Sequence, residues 1–152
     1  MASDTYNLDR FLKAQERVYP SVVRELADGR KRSHWMWYIF PQISGLGHSS
    51  TARLYSLESL AEARCYAIHP LLSARLLACT NLVNAVRGRP IRQILGSPDD
   101  LKFRSSMTLF ALASEENHSF LEALRIYYKG IPDHLTLGIL GMAGQASVFN
   151  SV

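Results

Sequence analysis

Six residues have types and spacings that could do chemistry: His34, Trp37 and Gln42 close together, Lys102 and Ser106 one helical turn apart, and Asp133. The first three lie in Lys31-Arg32-Ser33-His34-Trp35-Met36-Trp37-Tyr38-Ile39-Phe40-Pro41-Gln42-Ile43-Ser44-Gly45-Leu46-Gly47. This stretch holds both tryptophans and one of the five histidines of the chain. On a helical turn His34, Trp37 and Tyr38 share one face, and Trp35 and Ile39 share another. His34 suits a general acid or base near neutral pH, Trp37 a stacking platform and Gln42 a bidentate polar reader. Lys102 and Ser106 would bring an ammonium and a hydroxyl to one face, where they could clamp an anion. Asp133 either joins that site or caps the helix that follows it.

These residues fit a pocket for a nucleotide-like or phosphorylated small molecule, with His34 as the catalytic group of a cofactor-independent hydrolase or transferase. The same inventory serves a module that binds a ligand or a protein partner without turnover, with Trp35 and Tyr38 as surface anchors. The plainer alternative is that the aromatics are packing and His34 is an ordinary histidine. Phosphate-binding glycine loops, HExxH, GxSxG and paired Cys or His ligand sets are absent from the sequence, so no metal or cofactor is expected.

Several motifs together resemble one family. The aromatic stretch with its Gly45-Leu46-Gly47-x-Ser49 continuation is followed in order by Ser49-Ser50-x-Ala52 with Tyr55, Glu62-Ala63-x-x-Tyr66 and His69-Pro70-x-Leu72. Then come Asp99-Asp100-Leu101-Lys102, Phe103-Arg104-Ser105-Ser106-Met107-Thr108-Leu109-Phe110 and Asp133-x-x-Thr136-Leu137. From about residue 8 to 140 the chain resembles the domain-of-unknown-function 1810 family. The resemblance implies a mainly helical fold, carries no established activity, and places both groups of candidate site residues inside family motifs.

The elements that must position these residues read as helices. Leu8, Phe11, Leu12, Val18, Tyr19, Val22, Val23 and Leu26 recur at helical spacing, with Pro20 expected to kink that helix or start a second one. Ser33 is placed to cap the aromatic turn, which Pro41 ends, while Gly45 and Gly47 allow a sharp turn or a close approach. Ser59 and Glu62 form a capping box, and His69-Pro70 opens a long helix through Val86. Ser97-Pro98-Asp99-Asp100 signals the start of a helix running to about Ala113. That helix is apolar nearly all round and should lie at the centre of the fold. Its Ser105, Ser106 and Thr108 need partners, the simplest being carbonyls one turn back. Further helices follow around Phe120 to Tyr128 and after Asp133, and residues 141–152 read as a loose tail.

The fold class expected is all-α, a compact single-domain bundle of about seven to nine helices around the buried 97–113 helix. At 152 residues with 47% apolar composition the chain can bury one substantial core. It offers neither a membrane span nor a signal pattern, so a cytoplasmic protein with no membrane partner is expected. Cys65 and Cys79 read as free, buried thiols. The net charge of +4 invites a nucleic-acid partner. Only Arg30-Lys31-Arg32 and Arg87-x-Arg89-x-x-Arg92 cluster, however, and the other basic residues are dispersed, which argues against that partner.

Overall fold

The computed structural model describes residues 4–150. Nine α-helices follow in order: α1 (Asp9–Ala27), α2 (Met36–Ile39), α3 (Ser50–Leu54), α4 (Leu60–Ile68), α5 (Pro70–Asn84), α6 (Ile91–Leu95), α7 (Asp99–Ala113), α8 (His118–Tyr128) and α9 (His134–Ile139). A 3-10 helix, Ala143–Asn150, ends the described chain. The all-α expectation holds, with one helix more than the expected range. Ser105 to Ala111, the one segment whose pattern also suggests a strand, is helical; the β-pairing among the described residues is a single bridge, Ile43 to Leu57.

Helix α7 is the axis of the fold and packs against α4, α6, α8 and α9. Phe103, Met107 and Phe110 are fully buried on one side and Leu109 on another, as a two-sided apolar pattern requires. Leu101 is the exception at 59% exposure. Helix α1 lies along α5 and α2. Pro20 neither breaks it nor begins a second helix; the helix runs through it from Asp9 to Ala27. Its missing N–H falls on the exposed side of the helix.

Local signals explain most of the other boundaries. The Ser59 hydroxyl accepts from the N–H of Glu62 at 3.1 Å, and the Glu62 carboxylate reaches back to the N–H of Glu58 at 2.7 Å. Glu62 also pairs with Arg10 at 3.0 Å, tying the N-terminal helix to α4. His69 caps α5 by accepting from the N–H groups of Leu71 and Leu72. The segment expected as a loose tail instead forms the 3-10 helix, because Phe149 finds a buried seat at 4% exposure. Residues 151–152 lie outside the described residues.

Both cysteines are free, Cys79 buried and Cys65 half-buried. Burial pushes the Cys79 thiol up to about 12, so it stays protonated and inert near neutral pH. Among the described residues no helix is long and apolar enough to cross a membrane, and no group of three or more potential metal ligands gathers.

Candidate functional site

The aromatic stretch is positioned by a residue that sequence patterning hides. Glu25, on the last turns of α1, is 7% exposed and accepts four hydrogen bonds from the chain beyond it. The donors are the N–H of Arg32 (2.6 Å), the N–H of Ser33 (2.9 Å), the Ser33 hydroxyl (2.5 Å) and the Trp35 indole N–H (3.0 Å). Burial alone would raise the Glu25 pKa, but the Ser33 hydroxyl, the two backbone N–H groups and the Trp35 indole outweigh it, taking the pKa from 4.5 to about 2. Ser33 therefore does not cap α2, as its position suggests; Trp35 is the N-cap residue and the Ser33 hydroxyl is spent on Glu25. Glu25 occurs at helical spacing from Val22 on the apolar face of α1, and that misplaced charge was the available clue.

From this clamp α2 projects Trp37 toward α7. A small hollow of about 10 Å³ forms there, with Trp37, Gln42, Tyr55 and Lys102 supplying polar atoms and Met36, Phe40 and Ala52 apolar wall. Its size suits about one water molecule. Gly47 allows the wall to close, since a Cβ at that position would stand 2.6 Å from the Cβ of Ala52. Gly45 makes the preceding turn at φ +106°.

Two lysines, two tryptophans and one aspartate form a chain along the seam between the aromatic stretch and α7. Lys31 Nζ lies 5.1 Å from the centre of the Trp35 ring and 2.9 Å from Asp99. Lys102 Nζ stands 5.3 Å from the centre of the Trp37 ring and 3.6 Å from the same aspartate. Asp99 thus belongs chiefly to Lys31, and Lys102 is the less satisfied cation.

The structure brings Trp37, Gln42 and Lys102 together and does not place His34, Ser106 or Asp133 on the wall of that hollow. His34 is exposed. Asp133 is the N-cap of α9, accepting from the N–H (3.0 Å) and hydroxyl (2.6 Å) of Thr136 with the Ser105 hydroxyl at 3.1 Å. Its own N–H donates to Thr108 Oγ1, so Asp133 joins α9 to α7. Ser105 and Thr108 also bond back to the carbonyls of Leu101 and Arg104, as helical hydroxyls do. Ser106 differs. It is fully buried and its hydroxyl has no partner among the described residues.

An unpartnered buried hydroxyl destabilises the fold. Ser106→Ala is therefore expected to raise stability by about 1 kcal/mol, a rise in Tm of roughly 2 to 4 °C. Differential scanning calorimetry decides; a fall of similar size would mean that the hydroxyl has a partner, such as a bound water.

The family model described as "Protein of unknown function (DUF1810)" matches residues 5–140. The chain belongs to the DUF1810 family. A crystal structure of the conserved hypothetical protein Rv1873 from Mycobacterium tuberculosis is 53% identical in sequence, with a TM-score of 0.90, covering 91% of this chain and 99% of that one. No curated protein matches. The helical fold of this DUF1810 chain thus has a solved counterpart, and its candidate site must be judged on its own chemistry. A larger groove of about 760 Å³ runs between α4, α5 and the α7–α8 turn, floored by Leu76, Leu112 and Phe120. None of the sequence-nominated residues lines it.

Proposed function

We propose that this DUF1810 protein is a small-ligand-binding protein that works without turnover, its site being the hollow between α2 and α7. The ligand is an anionic molecule with a flat ring, of nucleotide type, and the protein acts as one domain in the cytoplasm. Lys102 supports this reading most directly: its ammonium stands over Trp37 while its nearest carboxylate, Asp99, is held more closely by Lys31. An anionic group that approaches Lys102 meets a cation with charge to spare, and a ring beside it can stack on the indole. Gln42 supplies both a donor and an acceptor for the ring edge. Binding turns Trp37 and Lys102 outward, since both are partly exposed and the closed hollow is too small for a ring. Catalysis is the weaker reading because His34, the one acid–base candidate, is absent from the wall.

A thermal-shift screen of nucleotides and phosphorylated metabolites should find a ligand that raises Tm, followed by titration of tryptophan fluorescence. Lys102→Met should weaken its binding roughly tenfold or more and Trp37→Ala by a similar factor, while His34→Gln leaves affinity unchanged. A ligand held equally well by Lys102→Met and the parent chain would remove the site from this hollow.

A further inference from the structure

The two basic clusters lie far apart in sequence, and the fold joins them. The N–H of Lys31 donates to the carbonyl of Ile94 at 2.7 Å, and Arg89 Nη1 lies 3.0 Å and 3.3 Å from the carbonyls of Gly29 and Asp28. Gly29, at φ +71°, leaves room for this staple, because a Cβ there would stand 3.1 Å from Arg89 Nη1. Arg30, Arg32, Arg87, Arg89 and Arg92 are all exposed around the junction. Arg32 is paired with Asp28 and Arg89 is held by carbonyls, but among the described residues the guanidinium groups of Arg30, Arg87 and Arg92 have no hydrogen-bond or ion-pair partner. Asp28, the acid closest in sequence to the first cluster, is exposed and taken up by Arg32, and Glu25 is buried under its four donors and turned away from solvent.

We propose that this arginine surface, formed by the turn after α1, the α5–α6 connection and the start of α6, binds the phosphate backbone of a nucleic acid. It is separate from the hollow and does not depend on the small-ligand reading. The residues are arginines, whose planar forks match phosphate oxygens in pairs. Spread over two chain segments, they offer several cations to successive phosphates, where one isolated arginine would give only transient attraction. Gly88 meets nothing within 4 Å of where a Cβ would stand, so a backbone can approach closely between Arg87 and Arg89. A membrane surface fits less well: among the described residues no exposed large apolar side chain occurs in 28–34 or 86–92 to enter a bilayer. The net charge of +4 favours encounter with any polyanion, and the junction decides where it docks.

The test uses the full chain, a fluorescein-labelled RNA and a DNA duplex of mixed sequence, each about 20 nucleotides long, and anisotropy at salt between about 50 and 200 mM. Binding should weaken steeply with salt. The variant Arg30→Ala/Arg87→Ala/Arg92→Ala should raise Kd at low salt at least about tenfold and lower the salt slope by about 2 to 3, since each phosphate contact contributes about 0.7 to 0.9. These side chains hold nothing in the fold, so Tm should stay at the parent value. A control with the same charge loss, Arg17→Ala/Arg53→Ala/Arg64→Ala, should bind as the parent does. The proposal is overturned if neither oligonucleotide binds at low salt, if both triple variants lose affinity equally, or if vesicles rich in phosphatidylserine bind and the oligonucleotides do not.

Discussion

Glu25→Ala should lower the free energy of unfolding by about 3 to 5 kcal/mol, enough to bring Tm down by roughly 10 °C. Two independent lines give the magnitude. Lowering the carboxyl from 4.5 to about 2 in the folded chain corresponds to about 3 kcal/mol of preference for the charged form. Truncation also strands the N–H groups of Arg32 and Ser33 and the Trp35 indole, each a donor at a buried or half-buried site. Glu25→Gln should cost less, because its carbonyl still accepts, although its amide N–H₂ then faces donors. The pH dependence has a definite sign. The folded pKa is below the unfolded one, so this stability is complete above pH 4.5 and disappears as pH falls toward 2. The gap between parent and Glu25→Gln, measured by urea denaturation, should therefore close across that window. A gap that stays constant from pH 7 to 2 would show that the carboxylate charge plays no part in the clamp.

Much of the fold was legible because it rests on local chemistry. Ser59 with Glu62 and Asp133 with Thr136 are short-range pairings in which a side chain satisfies an N–H three residues away, and each stands in the structure as its spacing suggests; Pro70 likewise opens α5, with His69 accepting from the N–H groups of Leu71 and Leu72. Helix α7 was readable because a pattern apolar on two sides has few other uses. The misses are long-range. Ser33 has the type and spacing of a cap, yet a carboxylate eight residues upstream takes its hydroxyl. Pro20 carries a strong local penalty, yet it lies on the exposed side, where water can reach the Glu16 carbonyl it leaves unpaired, and the flanking apolar face holds α1 together. Residues 141–152 read as a loose tail, yet Phe149 is buried.

The candidate site divides in the same way. Spacing alone put Lys102 and Ser106 on one face of α7, but only the tertiary arrangement separates a half-exposed lysine from a hydroxyl sealed in the core. Trp37 and Gln42 reach the same hollow because the turn at Phe40 and Pro41 redirects the chain, which Pro41 did announce. The join between the arginine clusters was beyond reach: it depends on Arg89 and Gly29, which are 60 residues apart and show no pattern in common.

Phe103→Ala is the second substitution with a large expected effect, a loss of about 3 to 5 kcal/mol. Phe103 is fully buried and meets Phe40 edge to face, with ring centres 4.9 Å apart, and Phe40 in turn packs on Trp35 at 6.3 Å. This aromatic row joins the α2 segment to α7 beneath the hollow, one residue along from Lys102. Truncation opens a cavity between two elements linked mainly by packing, since the hydrogen bonds that fix the aromatic stretch run back to α1. Phe103→Leu keeps most of the volume but loses the edge-to-face pair, worth about 0.5 to 1.5 kcal/mol, so it should fall well short of the alanine variant. The wall of the hollow moves with Phe40, so any ligand found for the parent chain should bind Phe103→Ala more weakly even where that variant remains folded. Urea unfolding followed by tryptophan fluorescence gives the stability, and titration of the folded variant gives the affinity. A loss below about 1 kcal/mol would mean that the core collapses around the gap and that α2 is held by the Glu25 clamp alone.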